Sequence, residues 1–457
     1  MTAFWLNSMA SPPLLPRVSA LRRLVGLGFG LAVAVGGTAG TGVLSSPGEL
    51  ARALGGSGPV LALWVVGGLY TLLAANTLAE LAGRLPQAGG WYGYAEAAFG
   101  EFPAVAVAWA DWTSSCVTGA LVALLLGEYL GPLLPLAGPG GPRLLAALAV
   151  LALAAVQARG LREGSRAQEI TAAVLLLGVV GLLAASAQLP PATVAAPAVP
   201  AANDGLTAAA LVAGLQVVVF AYDGWYAPIY FAEETPQPGR TLSRALLGGV
   251  AAVLMLYFGL NAVLLRVLPF AAIQSAGLPL GELAAGLAGP PGRRLVLGLG
   301  VVAMLGVLNS VLLMATRVLY ALGRAGQLPK QLAGVHAGGT PRPALAVATA
   351  LTLVLVLSGT VAALEAVTAV LFVGYYVVGF AALFRLRRQE PVPPGGYRAW
   401  AHPWSTGLLV ALSGGFLGLN VVADWPHALV AVGLVAGAWP LWHWAQRSPA
   451  DASTPED

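Results

Sequence analysis

Two short stretches carry residues that an uninterrupted membrane helix does not need. GTGVLSSPG, residues 40–48, places Gly40, Thr41, Gly42 and Pro47 in an apolar run, and FAYDGWYAP, residues 220–228, places Asp223, Gly224 and Pro228 in another. Proline lacks an amide hydrogen and clashes with the carbonyl four residues back, so Pro47 is expected to free the carbonyl of Val43 and Pro228 that of Gly224. The glycines let the chain unwind there. A half-helix starting after Gly42 would point unpaired amides and its positive dipole end into the gap, which suits a carboxylate. Carbonyls freed around Val43, Phe220 and Ala221 would accept from an ammonium group. An α-amino acid carries both groups.

Either break alone is weak evidence, because the chain has 59 glycines and 33 prolines and both residues are frequent in membrane helices. The matched pair is stronger. Each break opens a set of five apolar segments, and paired interruptions in corresponding positions point to an inverted-repeat transporter with its site near the bilayer midplane. Two acids add to this. Asp223 lies near the centre of its span, where an ionisable group is expensive and usually functional. It either orients Gly224, helps hold an ammonium group, or is a structural carboxylate capped by the amides of the unwound turn. Asp111, inside the third span, has the same choice of roles. Glu80 stands four residues before Arg84, a spacing that pairs them on one helix face, and Glu233, Glu234 and Arg240 are expected at the interface with a share in an inner gate.

The elements that position these residues follow from composition. The 457 residues are 58% hydrophobic and 9% charged, with a mean hydropathy of +0.80, far from the roughly one-quarter charged residues of soluble domains. A bilayer core of about 30 Å needs about twenty apolar residues per helix. Twelve such segments can be placed, at about 24–44, 59–82, 103–130, 143–158, 170–188, 207–231, 244–267, 294–320, 343–360, 363–384, 405–422 and 428–446. They are too long and too uniformly apolar for the alternating strands of a β-barrel. The expected fold is an all-α polytopic membrane protein: one transporter domain with a first repeat over 17–190, a second over 206–388, two further helices over 403–446, and flexible tails at 1–16 and 448–457. The Pro- and Ala-rich stretch 188–206 is the longest external loop.

Arginine placement orients the bundle. With the amino terminus inside, only Arg52, Arg143, Arg266, Arg293 and Arg294 of the 23 basic residues fall outside, which puts both termini in the cytoplasm. The formal charge of +4 therefore reads as topology, and no nucleic-acid partner is expected. The first apolar run is too long for a cleaved signal peptide and has no clean cleavage site.

Enzymatic classes fail on inventory. His336, His402, His427 and His443 are scattered without metal-ligand spacing, and the single Cys116 cannot form an internal disulfide. No catalytic or metal-ligating set is expected. A phosphate loop is excluded because the one lysine, Lys330, follows Pro329. GLGFG at 26–30 follows no strand and reads as close helix packing.

Five ordered stretches resemble the amino acid-polyamine-organocation superfamily, and in particular its permeases of the L-type amino acid transporter kind, over most of the chain. They are GTGVLSSPGELA, AELAGRLPQAGGWYGYAEAAFG (79–100), FAYDGWYAPIYFAEETPQPGR (220–240), ATRVLYALGRAGQLPK (315–330) and FRLRRQEPVPPGGYRAWAHPW (384–404). The resemblance implies a five-plus-five inverted-repeat core with two additional helices, and amino acid transport by alternating access in the plasma (inner) membrane. Carried onto matching positions, it implies that the backbone of Gly40, Thr41 and Gly42 takes the carboxylate. The carbonyls near Val43, Phe220 and Ala221 take the amine, and Trp225 or Tyr222 forms an aromatic gate. Asp223 and Gly224 complete the set.

One departure bears on coupling. Many such permeases carry a lysine in span five where sodium-coupled relatives bind an ion, and the resemblance places Leu175 there. No cofactor is expected, and coupling to a proton through Asp223 or Asp111, coupling to sodium, or plain exchange all stay open. Asn309 and Ser310 in span eight supply oxygens near where a sodium site would lie, or bond to a neighbouring helix. Neutral amino acids are the preferred substrates. Cationic amino acids or polyamines, and a non-transporting amino-acid sensor, are the alternatives. Membrane lipids are the surrounding partners, and the sequence leaves the oligomeric state open.

Overall fold

The structure is a computed structural model that describes residues 21–40, 42, 44–131, 140–191, 206–389 and 396–447. Among these residues every regular element is helical. The chain runs through α1 (Leu27–Thr38), α2 (Ser46–Leu54), α3 (Ser57–Arg84), α4 (Trp91–Phe99), α5 (Glu101–Leu130), α6 (Gly141–Arg159), α7 (Leu161–Ser186) and α8 (Ala208–Ala221). A 3₁₀ segment, Ala227–Glu234, leads into α9 (Pro238–Val267), α10 (Phe270–Ser275) and α11 (Pro279–Arg324). After a second short 3₁₀ turn come α12 (Arg342–Ser358), α13 (Val361–Gln389), α14 (Trp404–Ala423), α15 (Trp425–Ala436) and α16 (Ala438–Arg447).

Proline and glycine set many of these boundaries. Prolines occupy the first turns of α2, α6, α9, α11, α12 and α15, where the missing amide hydrogen has no helical partner to lose. Gly55, with φ +65°, closes α2 in the left-handed region. Gly100, at φ +90°, separates α4 from α5.

Among the described residues eight helices, α3, α5, α6, α7, α9, α11, α13 and α14, are long and apolar enough to cross a membrane, and α1, α8 and α12 are apolar but shorter. This is the architecture of a polytopic membrane protein. It differs from the sequence expectation at several points. The sixth span ends at Ala221 rather than near 231, because the chain breaks before the 3₁₀ segment, and the fifth begins at Leu161 rather than near 170. The first span ends at Thr38 rather than near 44, because the chain breaks before α2. The last divides at Gly437 into α15 and α16. The eighth extends back to Pro279 and bends at Ala288 and Gly289, with Gly289 at φ +62° just before the Pro290–Pro291 pair. Helices α4 and α10 were not expected at all. The expected tails and most of the 188–206 loop lie outside the described residues.

The interior is formed where α5 packs along α11 and α13, and α1 along α7, α9 and α11. Small residues allow the approach: a Cβ on Gly30 would stand 2.7 Å from that of Ala245, and one on Gly249 would stand 2.5 Å from that of Ala34. Of the GLGFG glycines only Gly30 packs against α9, as small-residue interfaces in membranes do, while Gly26 and Gly28 are exposed.

Candidate functional site

The two broken segments meet. Gly224 has φ +96°, and a Cβ there would collide with the carbonyl oxygen of Gly37, so both its conformation and its surroundings demand glycine. A Cβ on Gly42 would stand 2.8 Å from the Ala221 Cβ and 3.2 Å from the Tyr257 hydroxyl. From α9, that hydroxyl donates to the Ala221 carbonyl at 2.8 Å and lies 3.2 Å from the Thr38 carbonyl. One side chain therefore ties the end of α1 to the end of α8.

A cavity of about 50 Å³ lies at this junction. Its wall includes Gly37, Thr38, Gly40 and Gly42 from the first break, and Phe220, Ala221, Asp223, Gly224 and Tyr226 from the second. The α5 side contributes Ser114, Ser115, Thr118 and Val122, and α11 contributes Val307, Ser310, Val311 and Met314. The Ser310 Oγ is buried without a hydrogen-bond partner. Beyond Phe220 a larger vestibule of about 750 Å³ opens. It is lined by Ser45 and Ser46 at the start of α2 and by the acids Glu49, Glu365 and Asp424. Phe220 is the residue that lines both spaces.

The expected site residues are partly brought together. Gly40, Gly42, Phe220, Ala221, Asp223, Gly224 and Ser310 line the cavity. Thr41 and Val43 fall outside the described residues. Trp225 and Tyr222 are buried but do not line it. Trp225 packs on Tyr226 and Tyr376. Tyr222 packs between Trp64 and Tyr257 and donates to the Trp64 carbonyl at 3.1 Å.

Of the carbonyls expected to be free, those of Gly224, Phe220 and Ala221 are engaged. Gly224 O accepts from Ala227 N–H at 3.1 Å, because the 3₁₀ geometry after the break bonds three residues on and bypasses Pro228. Phe220 O accepts from Asp223 N–H, and Ala221 O from Tyr257. A carbonyl has two lone pairs, so Phe220 and Ala221 keep acceptor capacity, but the protein already uses part of it. The half-helix also starts later than expected, at Ser46 rather than after Gly42.

Asp223 accepts from the Tyr376 hydroxyl of α13 and from the backbone amide of Gly224. Asp111 lies deeper on α5 and accepts from Tyr230 at 2.7 Å. Asn309 is fully engaged by neighbouring helices. It accepts from Gln157 at 2.9 Å and donates to Gln168 Oε1 at 2.8 Å and to Gly164 O at 3.1 Å. Gln168 in turn donates to Ala32 O of α1 at 3.3 Å. Leu175 is buried in the core, and Gln168, two turns earlier, hydrogen-bonds α1 from α7.

The arginine-rich end is closed by ion pairs. Arg317 and Glu234 are both fully buried and pair at 3.0 Å, with Arg317 also over the Phe231 ring. The turn after the α8 break carries Glu234 inward onto α11, so it is buried in the protein rather than exposed. Arg240 is exposed, as expected. Glu233 pairs with Arg324 at 2.6 Å. Glu80 accepts from Arg84 as expected, and also from Arg387 and the Ala399 amide.

Several residues of the cavity wall (Ser114, Ser115 and Tyr226) and of the shell behind it (Thr113, Tyr257 and Tyr376) escaped the sequence reading. Thr113, Ser114 and Ser115 form a hydroxyl run within an apolar helix, and that polarity was the available signal. Tyr226, Tyr376 and Tyr257 gave none, since tyrosines in spans are ordinary.

The chain is similar to known families over most of its length. The amino acid permease family model matches residues 29–436. The serine/threonine exchanger SteT of Bacillus subtilis is 28% identical over 416 residues, covering 89% of this chain and 93% of the relative. The human large neutral amino acids transporter small subunit 2 is 28% identical over 394 residues, covering 82% and 72% respectively. The human b(0,+)-type amino acid transporter 1 is 27% identical over 389 residues, covering 82% and 78%.

Proposed function

The chain belongs to the amino acid permease family, as an integral membrane protein that transports amino acids, and we propose that it does so by alternating access around the cavity between its two breaks. The reading is a secondary carrier rather than an enzyme. Its core is a single transporter domain of two inverted five-span repeats, 17–190 and 206–388, with two further spans over 403–446 making twelve in all. Both termini face the cytoplasm of the plasma (inner) membrane. In that orientation the vestibule opens outward, and the Glu80, Glu233 and Glu234 ion pairs close the cytoplasmic side.

The observation that carries the proposal is the convergence of Gly42, Ala221 and Gly224 on one cavity. Backbone from the first break would take the substrate carboxylate, with Gly40, Thr41 and Gly42 nearest. Carbonyls of Val43, Phe220 and Ala221, with Asp223, would take the amine. Ser114, Ser115, Thr118 and Ser310 would face the substrate side chain. That lining, mixed between small hydroxyls and valines, favours small neutral amino acids. Lipid surrounds the protein, and a coupling proton or sodium ion, or plain exchange, completes the cycle.

Counterflow in proteoliposomes tests this. Vesicles preloaded with unlabelled amino acids should take up label from outside, and empty vesicles should not. Saturable binding to the purified protein without flux would replace the carrier with a sensor. Uptake confined to cationic substrates would favour the second reading, to which the acids Glu49, Glu365 and Asp424 in the vestibule lend support.

A further inference from the structure

The cavity and its substrate leave one buried carboxyl group unused. Asp111 is fully buried on α5, one turn from Ser114 and Ser115 of the cavity wall. Its Oδ1 accepts from Tyr230, and its Oδ2 is buried with no hydrogen-bond partner. Among the described residues no basic side chain pairs with it. Arg317, on the adjoining α11, directs its guanidinium to both oxygens of Glu234 and to the Leu313 carbonyl. The other titratable groups facing Asp111 are Tyr230 and Tyr226 after the α8 break, Tyr375 of α13, Cys116 on α5 itself, and Asp223. All are acids or weak acids. Nothing there balances a negative charge, and an uncompensated carboxylate at membrane depth is among the most expensive groups a fold can carry.

Asp111 is also connected to the cavity. Tyr376 donates to Asp223 in the wall. The Tyr376 ring lies 5.4 Å from that of Tyr226, whose hydroxyl shares a 2.7 Å hydrogen bond with Tyr375. The Tyr226 ring lies 6.1 Å from that of Tyr230, which bonds Asp111. Phenol groups thus line the way from one carboxyl to the other.

We propose that Asp111 is a proton-binding site, and that amino acid movement through the cavity is coupled to a proton that Asp111 takes up and gives back during the cycle. The inference rests on the transport reading above and names its coupling ion. Loading forms an O–H bond on the carboxylate and gives a neutral acid, the form suited to the state seen here, in which the arginine-rich end is shut. Unloading returns the proton to water when the arginine-rich end opens and hydrates the group. No electrons are exchanged and no other reactant is needed.

The test compares counterflow with uptake driven by an outside-acid gradient, using labelled L-alanine, L-serine and L-leucine in turn. Coupling of one proton per substrate allows up to about tenfold accumulation per pH unit of gradient. Expressed relative to each variant's own counterflow, this stimulation should fall to none in Asp111→Asn and return in Asp111→Glu. Undiminished stimulation in Asp111→Asn, or counterflow by the unmutated protein that no pH gradient stimulates, overturns the proton site and leaves the carrier standing. Absence of counterflow by the unmutated protein removes the carrier reading instead. An infrared measurement on the purified protein is independent of flux and of how Asp111→Asn folds. The carbonyl stretch of a protonated carboxylic acid should be present and should shift in Tyr230→Phe. A carboxyl region unchanged by Tyr230→Phe overturns the proposal.

Discussion

The Tyr257 hydroxyl donates to the Ala221 carbonyl at 2.8 Å and reaches the Thr38 carbonyl at 3.2 Å, so a single phenol on α9 spans the ends of both interrupted helices. Tyr257→Phe keeps the ring against Trp64 and Tyr222 and removes only this link. A buried hydrogen bond contributes about 1 kcal/mol, so a modest fall in the melting midpoint is expected. Because the link sets the spacing of the cavity walls, the substrate KM should rise as well. A variant with unchanged KM would show that the breaks are aligned by packing alone.

Gly42 is, with Gly224, a position at which the site has no room for a side chain. An added Cβ would press on Ala221 from 2.8 Å, and neither neighbour is the flexible end of a side chain. Gly42→Leu should abolish substrate binding while the protein remains monodisperse in detergent. Gly42→Ala should weaken binding by about tenfold or more, the effect of misplacing a bound group by a fraction of an ångström. Counterflow by Gly42→Leu at the unmutated rate would rule out the backbone site.

Arg317 and Glu234 form a pair with neither side chain exposed to solvent. Removing one partner leaves the other charge buried and typically costs about 3–5 kcal/mol. Arg317→Met and Glu234→Gln should each lower the melting midpoint sharply. The double substitution Arg317→Met with Glu234→Met should recover most of the loss, since a buried pair adds little over packed apolar groups. Equal damage in the double and single variants would mean that the pair is specifically required by the fold.

Much of this was legible in the residues because the bilayer imposes strong rules. Apolar runs of the required length marked α3, α5, α6, α12 and α14 closely, and Gly42, Gly224 and Pro228 marked the breaks. What the breaks do to their own hydrogen bonds was not legible. Gly224 O finds Ala227 because the chain relaxes into a 3₁₀ turn, and a proline marks the lost helical bond without marking its replacement. Glu234 was misread for a related reason: its partner Arg317 lies 83 residues away, and no local pattern joins them. Short pieces such as α4 and α10, of nine and six residues, fell below the length that identifies a span.

His402 sits between α13 and α14, beside Thr406 and the Phe384 ring. Burial, followed by the Arg387 guanidinium, holds its imidazole below the usual value of 6.5. The unfolded chain therefore binds the proton more readily than the folded one, and stability rises with pH through this window. The contribution is complete above about 6.5 and is lost as pH falls below it. Melting midpoints should decline on acidification across that range, and His402→Gln should flatten the decline. A slope unchanged by the substitution would assign it to other groups.

Phe220 is the wall shared by the inner cavity of about 50 Å³ and the vestibule of about 750 Å³. The sequence pointed to Trp225 or Tyr222 as an aromatic gate, but both are buried away from the boundary, whereas the Phe220 ring stands on it. Truncating that ring in Phe220→Ala should join the two spaces. Burying a phenylalanine side chain contributes about 1.5–3 kcal/mol, so a substrate covered by it would bind roughly tenfold to a hundredfold more weakly in the variant. Accessibility separates a barrier from mere packing. In a Cys116→Ala background, a cysteine introduced by Ser310→Cys lies in the cavity wall behind Phe220, and a small polar thiol reagent must pass Phe220 to reach it from the vestibule. Phe220→Ala should accelerate its labelling from that side, and substrate should protect it less well than in the Phe220 parent. If labelling is no faster, the two spaces are separated by backbone around Ala221 and Gly42, and the ring is only part of the lining.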